Sequence, residues 1–82
     1  SVCDPPSAEV LTNGIEEAEQ VWKKFQGLGI THVVIKRKQY EEDNRYGLYG
    51  WPMKQRQAFE DFVVQYCQQA VEFGPDAIFR LK

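Results

Sequence analysis

The sequence predicts a small α/β domain, a two-layer or three-layer sandwich in the order helix, strand, helix, hairpin around a mixed sheet. Three observations carry that prediction. A helical pattern over residues 13–28 runs straight into Gly29-Ile30-Thr31-His32-Val33-Val34-Ile35, where a glycine stop meets a β-branched run. A second apolar stripe, Phe59, Phe62, Val63, Tyr66, Cys67 and Ala70, keeps helical spacing after Pro52. Then Val71-Glu72-Phe73 and Ala77-Ile78-Phe79-Arg80-Leu81 flank Gly74-Pro75-Asp76, a turn signal that predicts a closing β-hairpin.

Each element has its own local reason. Residues 1–12 read as an irregular lead-in, in which Ser1-Val2-Cys3-Asp4-Pro5-Pro6 looks like the end of a strand turning into a loop and Ala8-Glu9-Val10-Leu11 could add a helical turn. A partner strand is therefore expected near or before the N-terminus, and the missing initiator Met suggests a piece cut from a longer protein. Residues 13–82 are the expected core of a single domain spanning 1–82. Asn13 offers a helix cap, with Glu16 placed to reach back in capping-box fashion. Ile15, Ala18, Val21, Trp22, Phe25 and Leu28 recur at three- and four-residue spacing, opposite Glu19, Gln20, Lys23 and Lys24. Gly27 or Gly29 can end this helix in the left-handed conformation, with Ile30 supplying the apolar contact that follows. Ile30 to Ile35 is apolar at both parities, which predicts a central strand covered on both faces. Pro52 suits the first position of the second helix.

Composition limits the function. With 82 residues, 43% hydrophobic and 27% charged, the chain has ordinary globular composition, and a domain near this size buries only about 60% of its unfolded surface. A net charge of -2 and a pI near 5.3 argue against nucleic acid as a partner, because phosphate-backbone binding needs concentrated Lys and Arg. No apolar run approaches the roughly 20 residues that span a bilayer, and the opening residues lack the basic and apolar regions of a signal peptide. Cys3 and Cys67 give no CxxC spacing, so neither a metal nor a redox motif is indicated and no cofactor is expected.

The reactive side chains read as structural. His32 is the only histidine and lies inside the apolar strand, with no nucleophile or carboxylate that the sequence places beside it. Cys67 falls on the helical stripe and reads as core. Cys3 lies in the exposed-looking lead-in, more suited to oxidation or cross-linking than to catalysis. Glu41-Glu42-Asp43 lacks calcium-loop spacing and reads as solvated charge. The basic group Lys36, Arg37 and Lys38 closes the central strand, where α/β sheets tend to bind ligands. With Arg45, Tyr46, Tyr49 and Trp51 it makes the candidate contact set for an anionic ligand or a glycan. The competing account of the aromatic loop is a second small core, with Leu48 and Trp51 closing the end of the sheet and anchoring the helix after it.

Taken together, the amphipathic helix, "LGITHVVI", a charged loop, "YGLYGW", the Pro-initiated helix with "RQAFEDFV" and the closing "AIFRLK" resemble a C-terminal soluble module of polytopic membrane glycosyltransferases. The family is that of dolichyl-phosphate-mannose protein mannosyltransferases and aminoarabinose transferases, and the resemblance covers about residues 13–82. It implies a small extracytoplasmic α/β domain after the last membrane span, in a protein that uses a polyprenyl-phosphate sugar and an acceptor. The family's catalytic acidic residue lies in a loop near the first membrane spans, so no catalytic residue transfers to this chain. Where that family commonly opens its second helix on Thr-Pro or Ser-Pro, this chain has Trp51-Pro52. The resulting expectation is a noncatalytic domain supporting substrate handling, assembly or stability on the extracytoplasmic face. The alternative is a self-contained, cytoplasmic protein-interaction or regulatory module. A free-standing enzyme would need His32 and the basic strand end to share one cleft.

Overall fold

The two prolines near the N-terminus start a helix. Asp4 caps it, its Oδ1 accepting from Ser7 N at 3.0 Å, and Pro at the first helical positions costs nothing because those amides have no partner within a helix. The structure, a computed structural model, describes residues 2–36, 48, 50–73 and 76–82. These form strand β1 (Val2–Cys3), helices α1 (Pro5–Leu11) and α2 (Ala18–Gly27), strand β2 (His32–Lys36), helix α3 (Met53–Tyr66) and strands β3 (Cys67–Phe73) and β4 (Asp76–Leu81). The strand order is β1-β2-β4-β3, with β1 parallel to β2 and the other pairs antiparallel, so the sheet is mixed. The expected partner strand near the N-terminus is β1. The strand end and the helical turn read in the lead-in are β1 and α1, and the segment is not irregular, since the two elements contribute Cys3 and Ala8 to the core.

The joint between α2 and β2 forms as the sequence indicates. Gly29 takes φ +77°, Ile30 N donates to Phe25 O at 2.9 Å, and Gly29 N donates to Gln26 O at 3.1 Å. This pair of bonds is a Schellman cap, and it satisfies carbonyls that the helix leaves open. The start of α2 differs from expectation. Its N-cap is Glu17, with no side-chain cap bond, and Asn13 lies in the turn after α1, its amide donating to Val10 O. Leu28, expected on the apolar stripe, is exposed just beyond the last helical residue, while Val21 and Phe25 are fully buried.

Pairing parity sorts the sheet into two faces. Cys3, Val33 and Phe79 are register partners, as are Ile35 and Ala77, and all five are buried. They share one core with Ala8 of α1, Val21 and Phe25 of α2, and Phe59 and Phe62 of α3. Phe25 meets Phe62 edge-on with centroids 5.4 Å apart, and Phe59 lies 5.6 Å from Phe62. Gln55 of α3, itself buried, donates to Glu9 O and to Thr12 Oγ1, tying α1 into the same helical layer. The domain is thus a two-layer sandwich with its helices against one face. β2 is central, as expected, but it is not covered equally on both sides. Val33 and Ile35 are buried, whereas His32 and Val34 are only half-buried.

The end of α3 also departs from the sequence reading. Pro52 sits at the N-cap rather than the first helical position, and the helix stops at Tyr66. Cys67 and Ala70, which fit the helical stripe, belong to β3, because Cys67 pairs with Leu81 and Lys82 N donates to Tyr66 O. A bulge follows. Gln69 pairs with Phe79 and Val71 with Ile78, leaving Ala70 as the extra residue, and the parity of β3 flips there. Without it Val71 would oppose Ala77 and face the helices.

Candidate functional site at the open face of the sheet

The face away from the helices is built in rows. Val2, His32, Arg80 and Gln68 are successive register partners across the four strands, and Val34, Ile78 and Val71 form the next row. Val2 is 59% and Val71 50% exposed, and Val34 and Ile78 are half-buried. At the end of the sheet, where α2 finishes, lies an open depression of about 420 Å³. Gln26, Thr31, His32, Arg80, Leu81 and Lys82 are among the residues lining it. Trp22 stacks on Tyr66 with centroids 4.8 Å apart and donates from Nε1 to the carbonyl of Lys82, one of the lining residues. Thr31 Oγ1 lies 2.8 Å from His32 Nδ1. With the hydroxyl donating, the ring is held in the tautomer that keeps its proton on Nε2, which leaves an N–H donor.

The contact set expected from sequence falls largely outside the described residues. Arg37, Lys38, Arg45, Tyr46 and Tyr49 fall outside the described residues, as does the acidic group at 41–43. Lys36 ends β2 and has Asp76 as its register partner, so a carboxylate shares that end of the sheet. Asp76 Oδ1 is buried and makes no hydrogen bond with a described residue. Trp51 is buried, its ring 5.1 Å from Phe59, and Leu48 is buried beside it in the core. That is the packing role weighed against ligand contact for these two residues.

Neither thiol is exposed. Cys67 is core as expected, though on a strand. Cys3, expected to be accessible, is buried at the register position of Val33. Burial pushes the Cys67 thiol up to about 12, against a smaller opposite effect of Lys82. It pushes Cys3 up to about 11, with the Asp4 carboxylate adding to the rise. Both remain protonated at neutral pH and are poor nucleophiles. Among the described residues no group of His, Cys, Asp or Glu could hold a metal ion, and no helix is long and apolar enough to cross a membrane.

Arg80 and Lys82 were not singled out by the sequence reading. A signal for them exists in "AIFRLK", where Ala77, Phe79 and Leu81 hold one parity and Ile78, Arg80 and Lys82 the other. That they meet His32 depends on the β2–β4 register, which no local pattern reports.

No family model and no curated protein sequence matches the chain. Among solved structures it is similar to the C-terminal globular domain of an oligosaccharyltransferase from Archaeoglobus fulgidus, with 14% identity and a TM-score of 0.49 over 95% of this chain. The chain spans 66% of that domain's length. A likeness at that level assigns neither family nor activity.

Proposed function

We propose that this chain is a noncatalytic domain of a membrane glycosyltransferase-like protein. It faces the extracytoplasmic side and supports the handling of a polyprenyl-phosphate sugar or its acceptor, or the assembly and stability of the parent. The sequence resemblance over residues 13–82 supports the family. The noncatalytic role rests on one observation, the commitment of both thiols to the core. Cys3 and Cys67 are buried as neutral thiols. What the domain presents outward is a surface. A self-contained module that binds a protein along a sheet edge is the second reading, favoured by the exposed Gln68, Gln69 and Ala70 of edge strand β3. The bulge at Ala70 counts against strand addition there, since edge bulges interrupt pairing.

The test uses the intact parent gene product in its own membrane, with sugar transfer from a polyprenyl-phosphate donor as readout. Deleting residues 2–82 should lower transfer or the membrane level of the parent, while Cys3→Ala and Cys67→Ala at matched level should leave transfer unchanged. A parent with no apolar spans upstream, or transfer abolished by either thiol variant at matched level, overturns the reading.

A further inference from the structure

Between α1 and α2 the chain makes a turn whose two ends are held and whose middle is free. Thr12 is buried, its hydroxyl donating to Ala8 O and accepting from Gln55, and Ile15 is packed against the core. Asn13 and Gly14 between them are exposed. Ile15 N donates to Thr12 O at 2.9 Å and Gly14 takes φ +83°, the type II pattern that calls for glycine at the third position of the turn. The Asn13 carboxamide makes no hydrogen bond with a described residue, and neither does Gly14 N. Nothing stands within 4 Å of where a Gly14 side chain would begin. The peptide plane between the two residues can therefore turn while Thr12 and Ile15 stay in place, because glycine accepts the change in φ without a steric penalty.

We propose that Asn13 is a site of spontaneous covalent modification, at which the side-chain amide is lost and the backbone isomerises. Gly14 N, on giving up its proton to solvent base, attacks Asn13 Cγ. The N–Cγ bond forms, the Cγ–Nδ2 bond breaks, and the side-chain nitrogen leaves as ammonia, so that a five-membered succinimide closes. Water then opens the ring at one of its two carbonyls. Opening at Cγ gives aspartate, and opening at the main-chain carbonyl gives isoaspartate, in which the chain runs through Cβ and Cγ. A side chain on the following residue crowds the attack, and Gly14 has none, whereas Asn44 is followed by Arg45. The isoaspartyl product adds one carbon to the backbone between two anchored residues. Thr12 and Ile15 then cannot both keep their places, and α1, which is tied to α3 by Gln55, is the element that gives. The proposal goes beyond the functional reading and does not depend on it.

The test is incubation of the full 82-residue chain at mildly alkaline pH, followed by peptide mass spectrometry with electron-transfer fragmentation, which tells isoaspartate from aspartate. Trypsin puts Asn13 and Asn44 in different peptides, so Asn44 is the internal standard. Asn13 should convert at least about tenfold faster than Asn44. Its rate should rise with pH, and isoaspartate should be the main product. Conversion of Asn13 no faster than that of Asn44, or aspartate formed without isoaspartate, overturns the proposal. Asn13→Gln should remove the fast phase, and a fast phase that survives in this variant places the reaction elsewhere and overturns the assignment. Freshly prepared Asn13→Asp carries the new charge on an unaltered backbone. Amide exchange in α1 should quicken in the isoaspartyl form and not in Asn13→Asp, and equal exchange in the two overturns the account of a turn held at both ends. Asn13 is exposed, so neither variant threatens the fold.

Discussion

The two faces of the sheet are made by alternate residues of the same strands, yet they differ in almost every physical respect. Towards the helices stand Cys3, Val33, Ile35, Ala77 and Phe79, all buried in one core. Away from them stand Val2, Val34, Ile78 and Val71 with His32, Arg80 and Gln68, half-buried or exposed. A run such as Ile30-Thr31-His32-Val33-Val34-Ile35 satisfies strand preference at both parities, because β-branched residues fit a pleated strand whichever way they point. Apolar character at both parities therefore shows that the segment is a strand, and leaves open whether both of its faces are covered. One face holds the fold together, and the other stays half-buried or exposed.

The largest effect should come from breaking the covered side. Phe62 is fully buried and packs against Phe25 and Phe59. Phe62→Ala should cost about 3 to 5 kcal/mol through the lost contacts and the cavity left behind, a large share of the stability of so small a domain. Urea unfolding reads this directly, and a midpoint that hardly moves would mean that the core is not centred there. Gln55→Ala comes next. It removes the donor to Glu9 O and Thr12 Oγ1 in a buried setting, at a cost of about 1 to 3 kcal/mol. Thr12 Oγ1 keeps its own bond to Ala8 O at 2.7 Å, so the loss falls on the docking of α1 against α3. Amide exchange in α1 should quicken more than in α3, and uniform quickening would show that α1 is not held by this contact.

The thiols sharpen the comparison by pH. Both lie on the covered face and are pushed up from the ordinary value of 9.0, to about 11 for Cys3 and about 12 for Cys67. Between those values the native state keeps protons that the unfolded chain releases, so stability falls as pH rises. The contribution is complete below pH 9 and is lost through the window from 9 to 12. The urea midpoint should decline more steeply above pH 9 in the parent sequence than in Cys67→Ala. Equal slopes would mean that the Cys67 thiol does not couple to folding.

What was legible in the sequence was what local chemistry determines. Gly29 followed by a β-branched run specifies both a left-handed stop and a strand, and Phe59, Phe62 and Val63 leave one helical face to bury. What was not legible depended on partners distant in the chain. Cys67 and Ala70 continue the helical spacing of Val63 and Tyr66, and only pairing with β4 decides that they are strand. Asn13 and Glu16 have the residue types of a capping box, but Asn13 is held in the turn that closes α1 and the helix begins at Ala18. Pro5-Pro6 reads as a break until Asp4 is seen to cap it. The basic cluster of the candidate site was hidden for the same reason, since His32 and Arg80 are 48 positions apart, by subtraction of their numbers, and are brought together only by register.

The smallest effect tests the comparison most closely, because one substitution can be made on both faces. Thr keeps the β-branch of Val and nearly its volume, so strand preference is held constant and only burial of a hydroxyl differs. At Val33, which is fully buried, the hydroxyl loses water, and Val33→Thr should cost about 1 to 3 kcal/mol. At Val71, half in solvent, it keeps water, and Val71→Thr should stay within about 0.5 kcal/mol. Val71 owes that position to the bulge at Ala70, which turns it from the helical side to the open one. Equal costs at the two positions would mean that the open face is buried in solution by a second molecule or by another part of the chain. In that case the difference in cost should reappear on dilution if the cover is a second copy, and persist unchanged if the cover belongs to the same chain.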